Sequence, residues 1–365
     1  MTAISFVIPT RDRPDDLVRT IAALGAYPAP LLGDAEIVVV DNASEIRAEQ
    51  VLPTRTTNGI PIESIRLDEN IHTAARNTAA RAASGAWLVM LDDDSAPVLP
   101  KPHETNQSAG DFVRTLDALP ESIAAIGGEI FLPSGSRESG GLPEVIIGCG
   151  SAIRRDVFLS AGGYDPAFGY YAEEYDLCAR LIASGHTIAH TDAIAFLHRK
   201  VTKGRNFSEI LYRLVRNNAW VIARHAPDRV RDQALEAMLD RYRGIASKES
   251  VLPAYERAHD EALATMDTQT RTPLAPADWD RFTGEAAARA GVETLKRRLP
   301  AHTSARLVKP GKGADLIERT LTVAGFSIEN SSDLGVIGTL SPGPMRDAHE
   351  RHPDAHALWS FLSPE

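Results

Sequence analysis

Three adjacent aspartates, Asp92 to Asp94, follow an apolar run in the stretch LVMLDDDSAP. Three carboxylates at the end of a buried strand are costly unless a cation neutralises them, and no basic residue follows before Lys101. Alternate residues of an extended chain face the same side, so we expect Asp92 and Asp94 to face one site and Asp93 to face away. Carboxylate ligands suit Mg2+ or Mn2+. A solvated acidic turn has the same composition, so the pattern alone is a weak indication.

Other polar residues also follow or begin regular elements. Asp41 ends the apolar run EIVVVD, where a carboxylate can accept a hydrogen bond from a pyrimidine N3–H or simply cap a turn. Glu173, Glu174 and Asp176 open the predicted helix EEYDLCARL, where the helix dipole favours acids in any protein. His198 ends the run AIAFLH. Each residue alone therefore has an ordinary structural explanation.

The elements that must position these residues alternate between strands and helices in the first half of the chain. ISFVIP, EIVVVD and AWLVML are strand-like apolar runs, SIRLDEN is a weaker strand, and RPDDLVRTIAAL and IHTAARNTAARAAS have helical patterns. This order predicts an α/β fold with a mostly parallel sheet covered by helices on both faces. Ligands bind at the carboxyl ends of such strands, where Asp41 and the three aspartates are expected.

The rest of the chain divides into two parts with different character. SIAAIGGEIFLP and HTIAHTDAIAFLHRK are predicted strands, and FSEILYRLVRNNAWVIARHA is a long predicted helix that Pro227 ends. Beyond about residue 230 the chain has amphipathic helices and a last stretch that fits a small strand, helix, strand unit. We predict a catalytic domain over 1–228 and a mainly helical accessory region over 229–365, which is a candidate for contacts in a homo-oligomer.

Composition limits the classes of protein to consider. The chain has 365 residues, 43% hydrophobic and 24% charged, without an apolar run long enough for a membrane span. Its formal net charge of −10 argues against nucleic acid as a partner. The two cysteines are too few for a disulfide framework or a zinc site, so we expect packing residues. The N-terminus lacks the pattern of a signal peptide, and we expect a cytoplasmic protein.

The ordered motifs FVIPTRDRPDDL, VVVDNAS, AARNTAARAASGAWLVMLDDD, GGYDPAFGYYAEEYDLCARL and FLHRK together resemble glycosyltransferase family 2. The resemblance covers about residues 4 to 225. It implies a GT-A type, Rossmann-like fold and an inverting enzyme that moves one sugar from a UDP- or dTDP-sugar to a hydroxyl group. The acceptor would be a glycan, a lipid-linked molecule or a small molecule.

The resemblance also implies roles for individual residues. Glu174 would be the general base, with Glu173 as the alternative, and Asp94 and His198 would hold Mn2+ or Mg2+. The predicted donor-binding residues are Pro9, Thr10, Arg13, Asp41, Arg76, Asp92 and Asp93. The predicted acceptor-binding residues are Tyr164, Asp165 and Asp176.

Two rival classes remain open. A nucleotidyltransferase also combines a nucleotide-binding sheet with metal carboxylates, but its first loop is usually rich in glycine, whereas PTRDRPDD contains none. A catalytically inactive carbohydrate- or nucleotide-binding protein could keep the same fold. The full set of acidic residues favours an enzyme.

Overall fold

The computed structural model describes residues 3–99, 110–200 and 206–362. In the described part of the chain, eight strands form one sheet in the order β3-β2-β1-β4-β7-β6-β8-β5. The strands are β1 (Ile4–Thr10), β2 (Ala35–Asp41), β3 (Ile62–Arg66), β4 (Trp87–Met90), β5 (Ser95–Val98), β6 (Ile123–Phe131), β7 (Ser151–Arg154) and β8 (Thr187–His198). Helices cover this sheet, as the alternation of elements predicts.

The first four strands are parallel and bring the carboxyl ends together. β1 lies between β2 and β4, and its register pairs Thr10 with Asp41 and Val7 with Met90. The apolar side chains of β1, β2 and β4 are buried because helices pack on both faces, and Ser5 and Glu36 are the polar residues of these strands before their ends, whereas the edge strand β3 is only partly buried. Asp41 and the aspartates after β4 therefore reach the same edge, as expected.

The second half of the sheet is mixed. Four of the seven strand pairings in the sheet are parallel and three are antiparallel, so the prediction of a mostly parallel sheet is confirmed. The sequence analysis did not identify β5, which contains Pro97. β5 is an edge strand paired only with β8, and an edge position tolerates a residue without a backbone N–H.

Most helices of the first part pack against this sheet, and the predicted start of a helix at Glu173 is confirmed. The helices of this part are α1 (Pro14–Ala26), α2 (Ala75–Ala82), α3 (Phe112–Asp117), α4 (Arg155–Ser160), α5 (Glu173–Ala183) and α6 (Phe207–His225). α5 and α6 pack against each other, and Trp220 of α6 joins the core that includes Leu177 of α5.

The C-terminal part begins with four helices and ends in a small α/β unit. Its helices are α7 (Asp228–Lys248), α8 (Leu252–Thr265), α9 (Pro276–Thr283), α10 (Glu285–Arg298), α11 (Ala314–Val323) and α12 (Pro342–Arg351). Three parallel strands, β9 (Ser304–Val308), β10 (Ser327–Ile328) and β11 (Gly335–Ile337), are arranged in the order β10-β9-β11. Apolar residues of α9, α10, α11, β9 and β11 belong to the same buried cluster as residues of the large sheet.

Among the helices of the described ranges, we find none with the length and apolar character needed to cross a membrane.

Candidate active site

Asp92 to Asp94 lie in a tight turn between β4 and β5. The Ser95 N–H donates to the Asp92 carbonyl at 3.1 Å, and the Asp92 N–H donates to the Ser95 hydroxyl at 2.8 Å. The expected extended alternation is therefore replaced by a turn. Asp92 is partly exposed, whereas Asp93 and Asp94 are buried.

The cations that neutralise this turn come from distant parts of the chain. Arg13 pairs with Asp93 at 2.6 Å and with Asp94 at 2.7 Å, and buried Arg76 pairs with Asp92 at 2.5 Å. Burial raises the pKa of Asp93, and Arg13 only partly offsets this, so the pKa is about 7. Two arginines thus take part of the role that the sequence analysis gave to a metal ion alone.

His198 meets the same turn because β8 pairs antiparallel with β5 and places His198 opposite Ser95. Its Nε2 lies 3.3 Å from Asp94 Oδ1 and 3.9 Å from Asp92 Oδ2. Burial opposes a charge on His198, but hydrogen bonds with Asp94 and two other groups outweigh it and raise its pKa to about 12. The predicted metal ligands Asp94 and His198 are therefore in contact.

Two residues that the sequence analysis did not select lie on the other side of the His198 ring. Glu138 Oε2 is 3.0 Å from Nδ1, and Cys149 Sγ is 3.6 Å from the same atom. A carboxylate on Nδ1 fixes a proton there, so a metal ion at Nε2 would replace the second proton of the ring. Burial raises the pKa of Cys149 to about 11, so it is a neutral thiol at physiological pH.

The donor set at the turn fits a hard divalent ion. Two neighbouring ligands of an octahedral ion with bonds of about 2.1 Å lie about 3 Å apart. The 3.3 Å between Asp94 Oδ1 and His198 Nε2 is close to this spacing. Asp92, Cys149 and His198 also offer ligand atoms within 4.8 Å of one another, but a neutral thiol is a poor ligand for Mg2+ or Mn2+.

Glu173 and Glu174 begin α5 after a strained loop. Tyr171 and Ala172 have φ values of 72° and 64°, a region that residues with a Cβ rarely adopt. The buried Asn217 of α6 holds this loop, because its Nδ2 donates to the carbonyls of Phe168, Tyr170 and Tyr171 at 2.9, 2.8 and 2.7 Å. Strain of this kind persists only where the surroundings enforce it, and here Asn217 does so.

Several polar atoms around Glu173 have no partner. Among the described residues, Arg76 Nε, Tyr164 Oη and Glu173 Oε2 are buried without a hydrogen bond. Burial and the neighbouring Glu174 raise the pKa of Glu173 well above its usual value, and burial also raises the pKa of Glu174. Buried polar atoms without partners need an explanation, and a ligand or ordered water beside Arg76 would supply one.

Asp41 is fully buried behind the strand edge. Its Oδ1 accepts from the Ser44 N–H at 2.8 Å, and its Oδ2 accepts from the Ala48 N–H at 2.9 Å and from Arg66 at 3.1 Å. These bonds outweigh the effect of burial and lower its pKa. Both carboxylate oxygens of Asp41 therefore bind groups of the loop after β2. This is the turn-capping alternative that the sequence analysis gave for Asp41.

The other predicted donor residues line the same edge. Thr10 Oγ1 donates to Asp93 Oδ2 at 3.0 Å, and Pro9 is partly exposed beside it. Together with Arg13, they form the end of β1 next to the aspartate turn.

The residues predicted to bind an acceptor are engaged inside the protein. Tyr164 is 1% exposed and stacks edge-on against Phe158. Asp176 is 1% exposed and binds Arg180, Arg224 and His225 at 2.9, 3.1 and 2.9 Å.

Asp165 is also part of this internal network. It pairs with Arg224 at 2.7 Å and caps the turn at Ala167. In this structure Tyr164 and Asp176 are buried, and Arg224 of α6 pairs with both Asp165 and Asp176.

Two comparisons with known proteins agree with this arrangement. Residues 5–98 match the model of glycosyl transferase family 2. *S. aureus* TarS 1-349 in complex with UDP superposes with a TM-score of 0.51 and 15% identity, covering 88% of this chain and 91% of that chain. The TarS 1-349 complex with UDP-GlcNAc gives 0.51 and 15%, covering 81% and 87%.

The chain therefore carries a segment, residues 5–98, that matches the model of glycosyl transferase family 2, and it has a GT-A fold. At 15% identity the likeness to TarS establishes the fold alone. The mannosyltransferase PcManGT from *Pyrobaculum calidifontis*, in complex with GDP-Man and Mn2+, gives a TM-score of 0.47 and 15% identity over 88% of this chain and 86% of that chain. No curated protein sequence matches the chain.

Proposed function

We propose that the protein is a metal-dependent, inverting glycosyltransferase that moves one sugar from a UDP- or dTDP-sugar to an acceptor hydroxyl. The observation that carries this proposal is the meeting of Asp92, Asp94 and His198 at one strand edge, next to a pair of glutamates at the start of α5. Arg76 lies between the aspartate turn and the two glutamates, because it pairs with Asp92 and acts electrostatically on Glu173.

The donor side is assigned to the edge formed by β1, β2 and the aspartate turn. Asp94 and His198 would hold Mn2+ or Mg2+, with Asp92 next to them, and Glu138 would orient the His198 ring. The bound ion supplies positive charge that stabilises the diphosphate leaving group. Arg13 is partly exposed beside Asp94 and can turn towards a phosphate when the ion takes its place. Asp41 would act by holding the loop that receives the base.

Glu174 is the better candidate for the general base. Glu173 is 5% exposed, whereas Glu174 is partly exposed and can reach an acceptor hydroxyl. Burial raises the pKa of both glutamates and Glu174 raises the pKa of Glu173 further, which favours one proton shared between them and leaves one carboxylate as the proton acceptor. A base of this kind typically contributes about 10²- to 10⁴-fold in rate.

One assay separates the proposed glycosyltransferase from the two rival classes, because it identifies the product that is released. Purified protein is incubated with UDP- and dTDP-sugars, and release of nucleoside diphosphate is measured with Mn2+, with Mg2+ and with EDTA. Release of the diphosphate that needs the metal supports a glycosyltransferase. Release of pyrophosphate from a nucleoside triphosphate and a sugar phosphate would identify a nucleotidyltransferase, and binding without any release would identify an inactive protein.

The Glu174→Gln variant separates the base from the binding site. We expect transfer and hydrolysis to fall by about 10²-fold or more, with donor affinity within twofold of the wild type. Near-normal turnover in this variant would show that Glu174 is not the base. Glu249→Gln, at the exposed end of α7, is the matched control.

A further inference from the structure

A lysine from the C-terminal α/β unit reaches the start of α5. Lys312 lies in the loop between β9 and α11, between Gly311 and Gly313, and its carbonyl accepts from the Leu340 N–H at 2.9 Å. Its ammonium group donates to the Tyr175 hydroxyl and lies 4.4 Å from the centre of the Tyr175 ring. Tyr175 directly follows Glu174, so the loop places a cation beside the proposed base.

The charge of Lys312 is not neutralised by a neighbouring acid. Among the described residues, its ammonium group contacts Tyr175, and Glu174 acts on it only through longer-range electrostatics. Burial and the nearby Arg241 lower the pKa of Lys312 to about 7, and Glu174 only partly opposes them. A partly buried ammonium group without a counterion is costly, and a bound anion would remove that cost.

A second cation, Arg241 of α7, acts electrostatically on Lys312 and on Tyr175. Arg241 is exposed, has no ion pair among the described residues, and lies 5.6 Å from the ring centre of Tyr242. The pKa of Lys312 depends on Arg241 and Glu174, and the pKa of Tyr175 depends on the same two residues. Two cations, Lys312 and Arg241, therefore act on this side of α5 against the single carboxylate of Glu174.

We infer that Lys312 and Arg241 form an acceptor subsite for an anionic group, so that the acceptor carries a phosphate or a carboxylate near the hydroxyl group that receives the sugar. This inference rests on the proposed function, because Glu174 defines the acceptor side. It also gives the C-terminal part a role in selecting the acceptor.

The test uses the full chain saturated with UDP and Mg2+, into which small probes are titrated by calorimetry. Glycerol 3-phosphate and glycerate carry the two candidate anions, and glycerol is the neutral control. We expect both or one of the anionic probes to bind more tightly than glycerol. Lys312→Met weakens that binding by about tenfold, the usual effect of losing a hydrogen bond to a charged group. Lys309→Met, in the same loop, leaves it unchanged.

Arg241→Met is the second variant, because it lies on the helix surface and leaves the protein folded even where Lys312→Met does not. It is compared with Arg243→Met on the same helix, and a weaker affinity for the anionic probe in Arg241→Met alone supports the subsite. Equal binding of glycerol and both anions by the wild type, or unchanged anion affinity in both variants, overturns it. The affinities for UDP and dTDP are measured in every protein: the absence of both in the wild type refutes the proposed function itself.

Discussion

Replacing Glu138 by Gln tests how the metal site is held together. The substitution keeps the shape of the side chain but removes the charge that faces His198 Nδ1 at 3.0 Å. Glu138 is 6% exposed, so water cannot easily replace this bond. Loss of a carboxylate behind a histidine ligand typically weakens metal binding by about 10- to 100-fold, or about 1.4 to 2.8 kcal/mol. We expect the Kd for Mn2+ to rise by this factor.

Electron paramagnetic resonance of free Mn2+ measures that Kd directly and does not depend on turnover. Lys200→Met is the matched control, since it removes the partner of the other Glu138 oxygen, at 2.8 Å, and leaves the contact with His198 in place. A Kd for Glu138→Gln within twofold of the wild type would refute the reasoning. An equal loss in Lys200→Met would show that the loop, and not the contact with His198, controls the affinity.

Three further variants test the parts that support the site. Glu173→Gln removes a carboxyl group whose pKa is raised in the folded state, so that the folded state binds more protons than the unfolded state. Because such a group destabilises the fold as pH rises, the variant should lose less stability than the wild type between pH 5 and 8. An unchanged slope of Tm against pH contradicts this. Asp176→Asn should lower the free energy of unfolding in urea by about 2 kcal/mol at pH 7, because the pKa of Asp176 falls from 3.8 to about 2 on folding. In the wild type this stabilisation is lost only as the pH drops from 3.8 towards 2. A cost near zero at pH 7 would refute the ion network. Asn217→Ala should cost about 2 to 3 kcal/mol and lower turnover, because it frees the strained loop before α5. Asn218→Ala is the control: Asn218 bonds to Leu214 of its own helix at 2.8 Å and to the Tyr242 hydroxyl at 3.3 Å, so its loss should cost less and leave turnover unchanged.

The strand edge could be predicted from the sequence because it depends on local patterns. Apolar runs that stop at Asp41 and Asp92 define strands and their ends, and parallel strands bring those ends together. Acidic residues before a helical pattern also located the start of α5 correctly. These features need no knowledge of distant contacts.

The partners of these residues depend on long-range packing that no local pattern records. Glu138 meets His198 from a loop 60 residues earlier, and Arg13 meets Asp94 across 81 residues. Lys312 lies 137 residues from the tyrosine it contacts. Asn217 alone among these residues could have been recognised from the local sequence, because an asparagine on the apolar face of an amphipathic helix is expected to have a specific buried partner.

The aspartate turn also shows why composition alone misleads. The sequence around Asp93 lacks a nearby basic residue, which pointed to a metal ion as the neutralising charge. Arg13 and Arg76 supply two cations from other parts of the chain. The argument for a metal site therefore depends on the short distances between Asp92, Asp94 and His198, and not on unbalanced charge.

The most direct test of the account is the binding of UDP and dTDP measured by thermal shift, with and without Mn2+, on the wild type and on Asp94→Asn. A ligand that binds only the folded state raises Tm with its concentration. The account predicts a shift in the wild type that needs Mn2+ and is lost in Asp94→Asn, while the Tm of the unliganded variant still reports a folded protein. A shift that is equal without the metal, or is kept in the variant, would contradict it.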